Sequence, residues 1–207
     1  TFTKPFGDGV FPAIVLIAGS GPNDRDETIF GHKPFLVISD HLSKNGFAVF
    51  RYDKRGVGGS TGNFKQATIN DFAQDASLVV EFLKQRKDID DTKIGLLGHS
   101  EGGLVASMVA SNNKDISFVI LMASPGIKGI EIVLDQNKFS MLQQRFEPDV
   151  IREVQIVNEE IFKSLINWND SENEKIVLQQ KLSDLWELFP TYIKANVEKD
   201  SYLNSQF

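Results

Sequence analysis

Ser100 stands at the centre of Gly98-His99-Ser100-Glu101-Gly102, a G-x-S-x-G pentapeptide. The apolar segment Lys93-Ile94-Gly95-Leu96-Leu97 runs directly into it, and Gly103-Leu104-Val105-Ala106-Ser107-Met108-Val109-Ala110 follows directly. The order of strand, pentapeptide and helix is what gives the serine chemical meaning. A serine on so sharp a turn takes a strained backbone conformation with its hydroxyl exposed. Glycines two before and two after remove side chains that would collide where strand and helix nearly touch. Ser100 is therefore the candidate nucleophile: it would attack an acyl carbon and form a covalent acyl-enzyme, which water then hydrolyses. The helix start offers free N–H groups at the positive end of its dipole, where an acyl-transfer oxyanion needs donors. The N–H of Glu101 is one candidate donor. A glycine-rich turn with an accidental serine is the competing reading, and the flanking elements weigh against it.

A second donor is expected from Ala18-Gly19-Ser20-Gly21-Pro22, which closes another apolar run at the edge where α/β proteins place ligands. The N–H of Ser20 is the first candidate and that of Gly21 the next; a plain tight turn is the alternative. The segment lacks the Gly-Lys-Ser/Thr ending of a phosphate-cradling loop. Asn23-Asp24-Arg25-Asp26-Glu27 is expected to be structural, with an arginine held between carboxylates, rather than a substrate entrance. Asp53-Lys54-Arg55-Gly56-Val57-Gly58-Gly59-Ser60 reads as scaffold around the site, with a pairing of Asp53 and Arg55 left open. The Glu101 carboxylate suits a helix start and has no assigned chemical role.

The serine needs a base within hydrogen-bond reach. The chain has three histidines, His32, His41 and His99. Side chains of adjacent residues on a strained turn point apart, which argues against His99. His41 falls on the polar side of a helical pattern. His32 lies in a loop near the carboxyl edge. None is a convincing base.

Four apolar runs are expected to be strands: Ala13–Ala18, Ala48–Tyr52, Ile94–Leu97 and Ser117–Met122. Their continuous apolarity suits burial on both faces, as in a parallel sheet covered by helices. Helical spacing fills the gaps between them: 34–44, with Pro34 in its first turn and Gly46 past its end, 71–85 and 102–111. Strand and helix in alternation predict an α/β doubly wound core with right-handed crossovers. After Pro125-Gly126 the character changes. Ile151, Val154, Val157, Ile161, Leu165 and Trp168 form one helical stripe, and Leu178, Leu182, Leu185 and Phe189 another. Ser171 and Glu174 have capping-box spacing before the second. Two parts are expected, a core over 1–126 and a helical region over 127–207. The charged stretch Lys84–Lys93 reads as a solvated helix end and loop.

The 207 residues suffice for one ordinary domain, or one with a small insert. A net charge of −6 argues against nucleic acid or an anionic membrane surface as partner. No apolar run is long enough to span a bilayer. Without cysteine there is neither a disulfide nor thiolate chemistry, and the compartment, cytoplasmic or periplasmic, stays open. No signal-peptide pattern is visible, and the chain begins at Thr1 rather than Met.

Taken together, Gly19-Ser20-Gly21-Pro22-Asn23-Asp24-Arg25-Asp26-Glu27, Lys33-Pro34-Phe35, Arg51-Tyr52-Asp53-Lys54-Arg55-Gly56 and Gly98-His99-Ser100-Glu101-Gly102-Gly103 resemble the α/β-hydrolase fold superfamily, and within it bacterial carboxylesterases of the EstD-like kind. The resemblance covers roughly the first 125 residues. It implies a partial, mostly parallel hydrolase sheet with helices on both faces, plus a helical cap over 127–207. It also implies hydrolysis of a small-molecule ester without metal or organic cofactor. In the superfamily an acid and then a histidine follow the serine along the chain. Here no histidine follows His99 and no convincing strand follows Met122. The expectation is a fragment, incomplete and inactive by itself, whose acid and base lie beyond Phe207 and whose start, Thr1-Phe2-Thr3, is the tail of an earlier hairpin. A sheet cut short would leave an open edge prone to self-association. A peptidase or thioesterase on the same fold, and a binding module without a base, remain alternatives.

Overall fold

Five strands, β1 (Phe2–Thr3), β2 (Phe11–Ile17), β3 (Ala48–Arg51), β4 (Ile89–His99) and β5 (Ile116–Met122), form one sheet in the order β1-β3-β2-β4-β5. The computed structural model describes residues 1–166 and 172–199, apart from the side chains of 172–175. The pairs among β2, β3, β4 and β5 are parallel, and β1 runs antiparallel to β3. Three helices connect the strands: α1 (Pro34–Lys44), α2 (Ile69–Lys84) and α3 (Glu101–Asn112). The sheet is the α/β architecture expected from the alternating pattern.

Side-chain alternation along β2 shows why both faces must be covered. Ala13, Val15 and Ile17 share a core with Phe72, Ala76, Val80 and Leu83 of α2 and Val105, Ala106 and Val109 of α3. Ile14, Leu16 and Ala18 point the other way, onto Phe35, Ile38 and Leu42 of α1. A strand buried on both sides reads as an unbroken apolar run, which is why β2 was visible as one. Pro34 occupies the first turn of α1. Thr68 and Asp71 form a reciprocal capping box at the start of α2.

The crossover from β2 to β3 uses α1 on one face, and that from β3 to β4 uses α2 on the other. The chain thus reverses its winding between the paired strands β2 and β4. Their carboxyl ends are level, with Ile17 opposite Gly98, and His99 opposite Met122 of β5. The loops leaving β2 and β4 therefore emerge side by side at a topological switch point, where open α/β sheets bind ligands.

The main departure from expectation is the start of β4. Its apolar run begins at Ile94, yet pairing begins at Ile89 against Phe11. From Phe11 to Ala13 β2 advances two residues while β4 advances five, from Ile89 to Ile94. The surplus turns on Asp90, whose carboxylate accepts from the Thr92 N–H, and Lys93 pairs with it. Ile89 is thus drawn into the strand by backbone pairing, which needs no apolar run, while Asp91, Thr92 and Lys93 stay exposed between the two paired points. Tyr52 and Ala18 lie just past their strands.

The chain divides into two compact units, the first being Thr1–Gly126 and the second beginning at Ile127. The described part of the second holds α4 (Gly129–Gln143), α5 (Pro148–Ile166), α6 (Glu172–Glu187) and α7 (Thr191–Asn196), and no strand. Ile151, Val154, Val157 and Ile161 of α5 pack with Leu178, Leu182 and Trp186 of α6. Phe189 joins that core from beyond the end of α6 rather than from within it. Trp168 and the Ser171–Glu174 cap lie outside the described residues. Among the described residues no helix is long and apolar enough to cross a membrane.

Candidate active site

One residue makes the turn from strand to helix. β4 ends at His99, α3 begins at Glu101, and Ser100 between them has φ +52° and ψ −120°. That region is costly for a residue with a β-carbon, on the order of 1–3 kcal/mol, and persists only where surroundings enforce it. Here the Ser100 N–H donates to Met122 O at 2.9 Å, and Ser100 O accepts from the Gly103 N–H at 2.9 Å. Both flanking glycines are sterically required. A β-carbon on Gly98 would lie 2.1 Å from the carbonyl oxygen of Gly102, and one on Gly102 would lie 2.1 Å from that of Ile17. The pentapeptide is thus a crossing of three backbones, and its serine is held as N-cap of α3 without capping the helix through its own side chain.

The loop after β2 packs on this turn. A β-carbon placed on Gly19 would lie 3.2 Å from the Ser100 β-carbon, so any larger residue would have to push the two segments apart by a few tenths of an ångström. Gly19 is held from both sides of its backbone. Its N–H donates to Glu27 Oε1 at 2.6 Å. Its carbonyl accepts from Lys54 Nζ at 2.6 Å and from Asn23 Nδ2 at 2.8 Å. Lys54 also donates to Glu101 Oε1 at 2.8 Å and lies 4.4 Å from the centre of the Phe72 ring. The Ser20 hydroxyl reaches Glu101 Oε2 at 3.3 Å. Ser100, Ser20 and Glu101 are therefore brought into one neighbourhood, with Gly21 next along the loop at φ +95°. Among the described residues, the backbone N–H groups of Ser20, Gly21 and Glu101 donate to no protein acceptor.

Lys54, Glu27 and Asn23 were not singled out from the sequence. Lys54 is buried, as is Glu27. A lysine amid Asp53-Lys54-Arg55 reads as one more loop charge, and nothing in its spacing shows that it reaches Gly19 and Glu101 across the sheet edge. Glu101 likewise departs from expectation: its carboxylate is tied to Lys54 and Ser20 rather than merely facing a helix start.

Arg25 is also placed differently. It does not sit between its sequence neighbours but grips Asp53 from the next loop, with Nε at 3.0 Å and a terminal nitrogen at 2.6 Å. The Asp53 carboxyl is held well below the usual range, chiefly by these Arg25 bonds, with N–H donors from Gly59 and Arg25 assisting and burial opposing. Arg55 does not pair with Asp53; it reaches Asp75 at 2.7 Å and Asp71 at 3.0 Å. Asp26 binds Arg51 instead. The reason is topological: the loops after β2 and β3 leave adjacent strands, so their opposite charges meet across the loops rather than along them.

His32 and His41 are exposed. His99 Nδ1 lies 2.8 Å from Glu27 Oε1. Among the described residues none of the three is hydrogen-bonded to the Ser100 hydroxyl, and no group of three or more His, Asp or Glu side chains is placed to hold a metal ion.

Residues 35–181 match the hydrolase family described as serine aminopeptidase, S33. The chain belongs to this α/β-hydrolase family. Among curated proteins, it is 38% identical over 137 residues to Esterase EstD of Thermotoga maritima, a match covering 66% of this chain and 32% of that protein. It is 32% identical over 115 residues to an acyl transferase of Shewanella hanedai, covering 55% of this chain and 35% of the relative. The chain thus spans about a third of the length of these α/β-hydrolase relatives. Among solved structures, the α/β hydrolase GrgF from Penicillium sp. sh18 aligns with a TM-score of 0.53 at 20% identity, over 69% of this chain and 47% of that one, a likeness of fold.

Proposed function

We propose that this chain carries the nucleophile of a serine hydrolase that cleaves carboxylic esters through an acyl-enzyme on Ser100. The observation that carries the proposal is the backbone of Ser100, forced to φ +52° at the start of α3 with the unpartnered N–H of Glu101 beside it. In the first half-reaction Ser100 Oγ bonds to the acyl carbon, its proton passes to a base, and the carbonyl oxygen becomes an oxyanion. The N–H groups of Glu101 and Ser20, with Gly21 next, receive that charge. Collapse releases the alcohol, protonated by the same base, and leaves the acyl-serine. Water repeats the sequence and frees the acid.

None of the three histidines is assigned as the base, because among the described residues none is hydrogen-bonded to the Ser100 hydroxyl. The helical unit that begins at Ile127 is assigned the role of a cap, on its all-helical make-up among the described residues.

The resemblance to EstD favours an ester over an amide or thioester, although the same acyl-enzyme would serve all three. The acyl-transferase relatives support a second reading, in which an acceptor other than water takes the acyl group from Ser100. Turnover of nitrophenyl esters by the complete protein tests both. Ser100→Ala is expected to lower turnover by at least about 10³-fold, and added alcohol acceptors to raise product release only if transfer competes with hydrolysis. Turnover undiminished in Ser100→Ala ends the proposal in either form.

A further inference from the structure

We propose that Lys54 is a positioning residue for the oxyanion site, setting the Gly19–Ser20 peptide and neutralising the Glu101 carboxylate beside it. The inference rests on the ester-hydrolase reading and assigns a part that reading does not contain. A trans peptide is a rigid plane in which C=O and N–H point in opposite directions. Fixing the Gly19 carbonyl therefore fixes the Ser20 N–H, the candidate donor. Two groups fix that carbonyl, Lys54 Nζ at 2.6 Å and Asn23 Nδ2 at 2.8 Å. Of these, Lys54 carries a full charge. An ammonium on an amide oxygen draws electron density from the nitrogen and makes its N–H a stronger donor.

The second role concerns sign. The Glu101 side chain extends from the residue whose own N–H is the other candidate donor. A bare carboxylate there would repel an oxyanion in a site where charges are poorly screened. Lys54 Nζ lies 2.8 Å from its Oε1, so the pair presents little net charge. The side chain is 5% exposed, and its ammonium packs against the Phe72 ring of α2. A buried lysine is costly unless its protons are all used. Here they face a carbonyl, a carboxylate and an aromatic ring, and the first two belong to the segments that flank Ser100.

Kinetics of the complete protein on a nitrophenyl ester test this, with Lys54→Met, Asn23→Ala and the double variant Lys54→Met/Glu101→Gln. Lys54→Met is expected to lower kcat roughly 10- to 100-fold, somewhat less than loss of a whole oxyanion donor, with KM changed less than about threefold. Glu101→Gln in that background should recover part of the loss, because it removes the uncompensated charge. Asn23→Ala, which keeps the buried lysine, should show the same signature more weakly, about threefold to tenfold in kcat alone, and so tests the clamp even if Lys54→Met fails to fold. Lys54→Met with kcat within twofold of the parent overturns the inference. So does Asn23→Ala with kcat unchanged, or a double variant no faster than Lys54→Met. A parent protein without Ser100-dependent turnover overturns the ester-hydrolase reading itself; Ser100-dependent turnover indifferent to these substitutions overturns this inference alone.

Discussion

Ser100 carries a conformational cost that its neighbours oblige it to bear. The Ser100 N–H is tied to Met122 and its carbonyl to Gly103, so the residue cannot relax from φ +52° without breaking both. Glycine adopts such backbone angles without steric cost. Ser100→Gly should therefore be more stable than Ser100→Ala by about 1 kcal/mol after the glycine's greater unfolded-state freedom is set against the relief, or roughly 2–4 °C in thermal midpoint. Equal midpoints would mean that the backbone angle at this position stores no strain. The serine and its flanking glycines were legible in the sequence because the constraint is local: a strand, one residue and a helix crossing within five positions. Lys54 was not legible, because its meaning lies in a carbonyl and a carboxylate 35 and 47 positions away.

Among the elements, the loops after β2 and β3 act as one bracket. Arg25 and the Gly59 N–H converge on a nearly buried Asp53 carboxylate, while Lys54 crosses to Gly19. Asp53→Asn should cost about 2 kcal/mol at neutral pH, less than for a pair buried on both sides because the Arg25 side chain is 41% exposed. The sign of its pH dependence follows from the lowered carboxyl. A group whose folded pKa is depressed stabilises the fold above its unfolded value, near 4, and loses that contribution as pH falls below it. Denaturant titrations at pH 7, 4 and 3 should show the gap between parent and variant narrowing from pH 4 downward; a gap independent of pH would contradict the pairing. The helices α1 to α3 and the core strands were readable because caps and apolar periodicity mark them locally. The start of β4 was not, since Ile89 joins the strand only by pairing with Phe11 of β2, and the polar residues Asp90–Lys93 between it and Ile94 have no partner on β2. The Arg25–Asp53 pair was equally hidden, because it is made by strand order rather than by proximity in sequence.

At the scale of the molecule, among the described residues β5 has a hydrogen-bonded neighbour on one side only, and Ile120 and Leu121 on it are exposed. An apolar strand with an open edge is a template for another chain. Residues 1–207 alone should therefore self-associate at high concentration, as read by sedimentation velocity; a monomer throughout would contradict that. The arrangement along the sheet also explains how the proposed nucleophile, Ser100, and a proposed donor, Ser20, can meet from segments 80 residues apart. They lie at the level ends of the paired strands β2 and β4, where the winding of the chain reverses. The most direct measurement of the whole account is to treat the complete protein with a fluorophosphonate and map the adduct by peptide mass spectrometry. The account predicts one phosphonylated residue, Ser100, and no adduct in Ser100→Ala. A protein that stays unlabelled, or is labelled equally with Ser100 replaced, would contradict it.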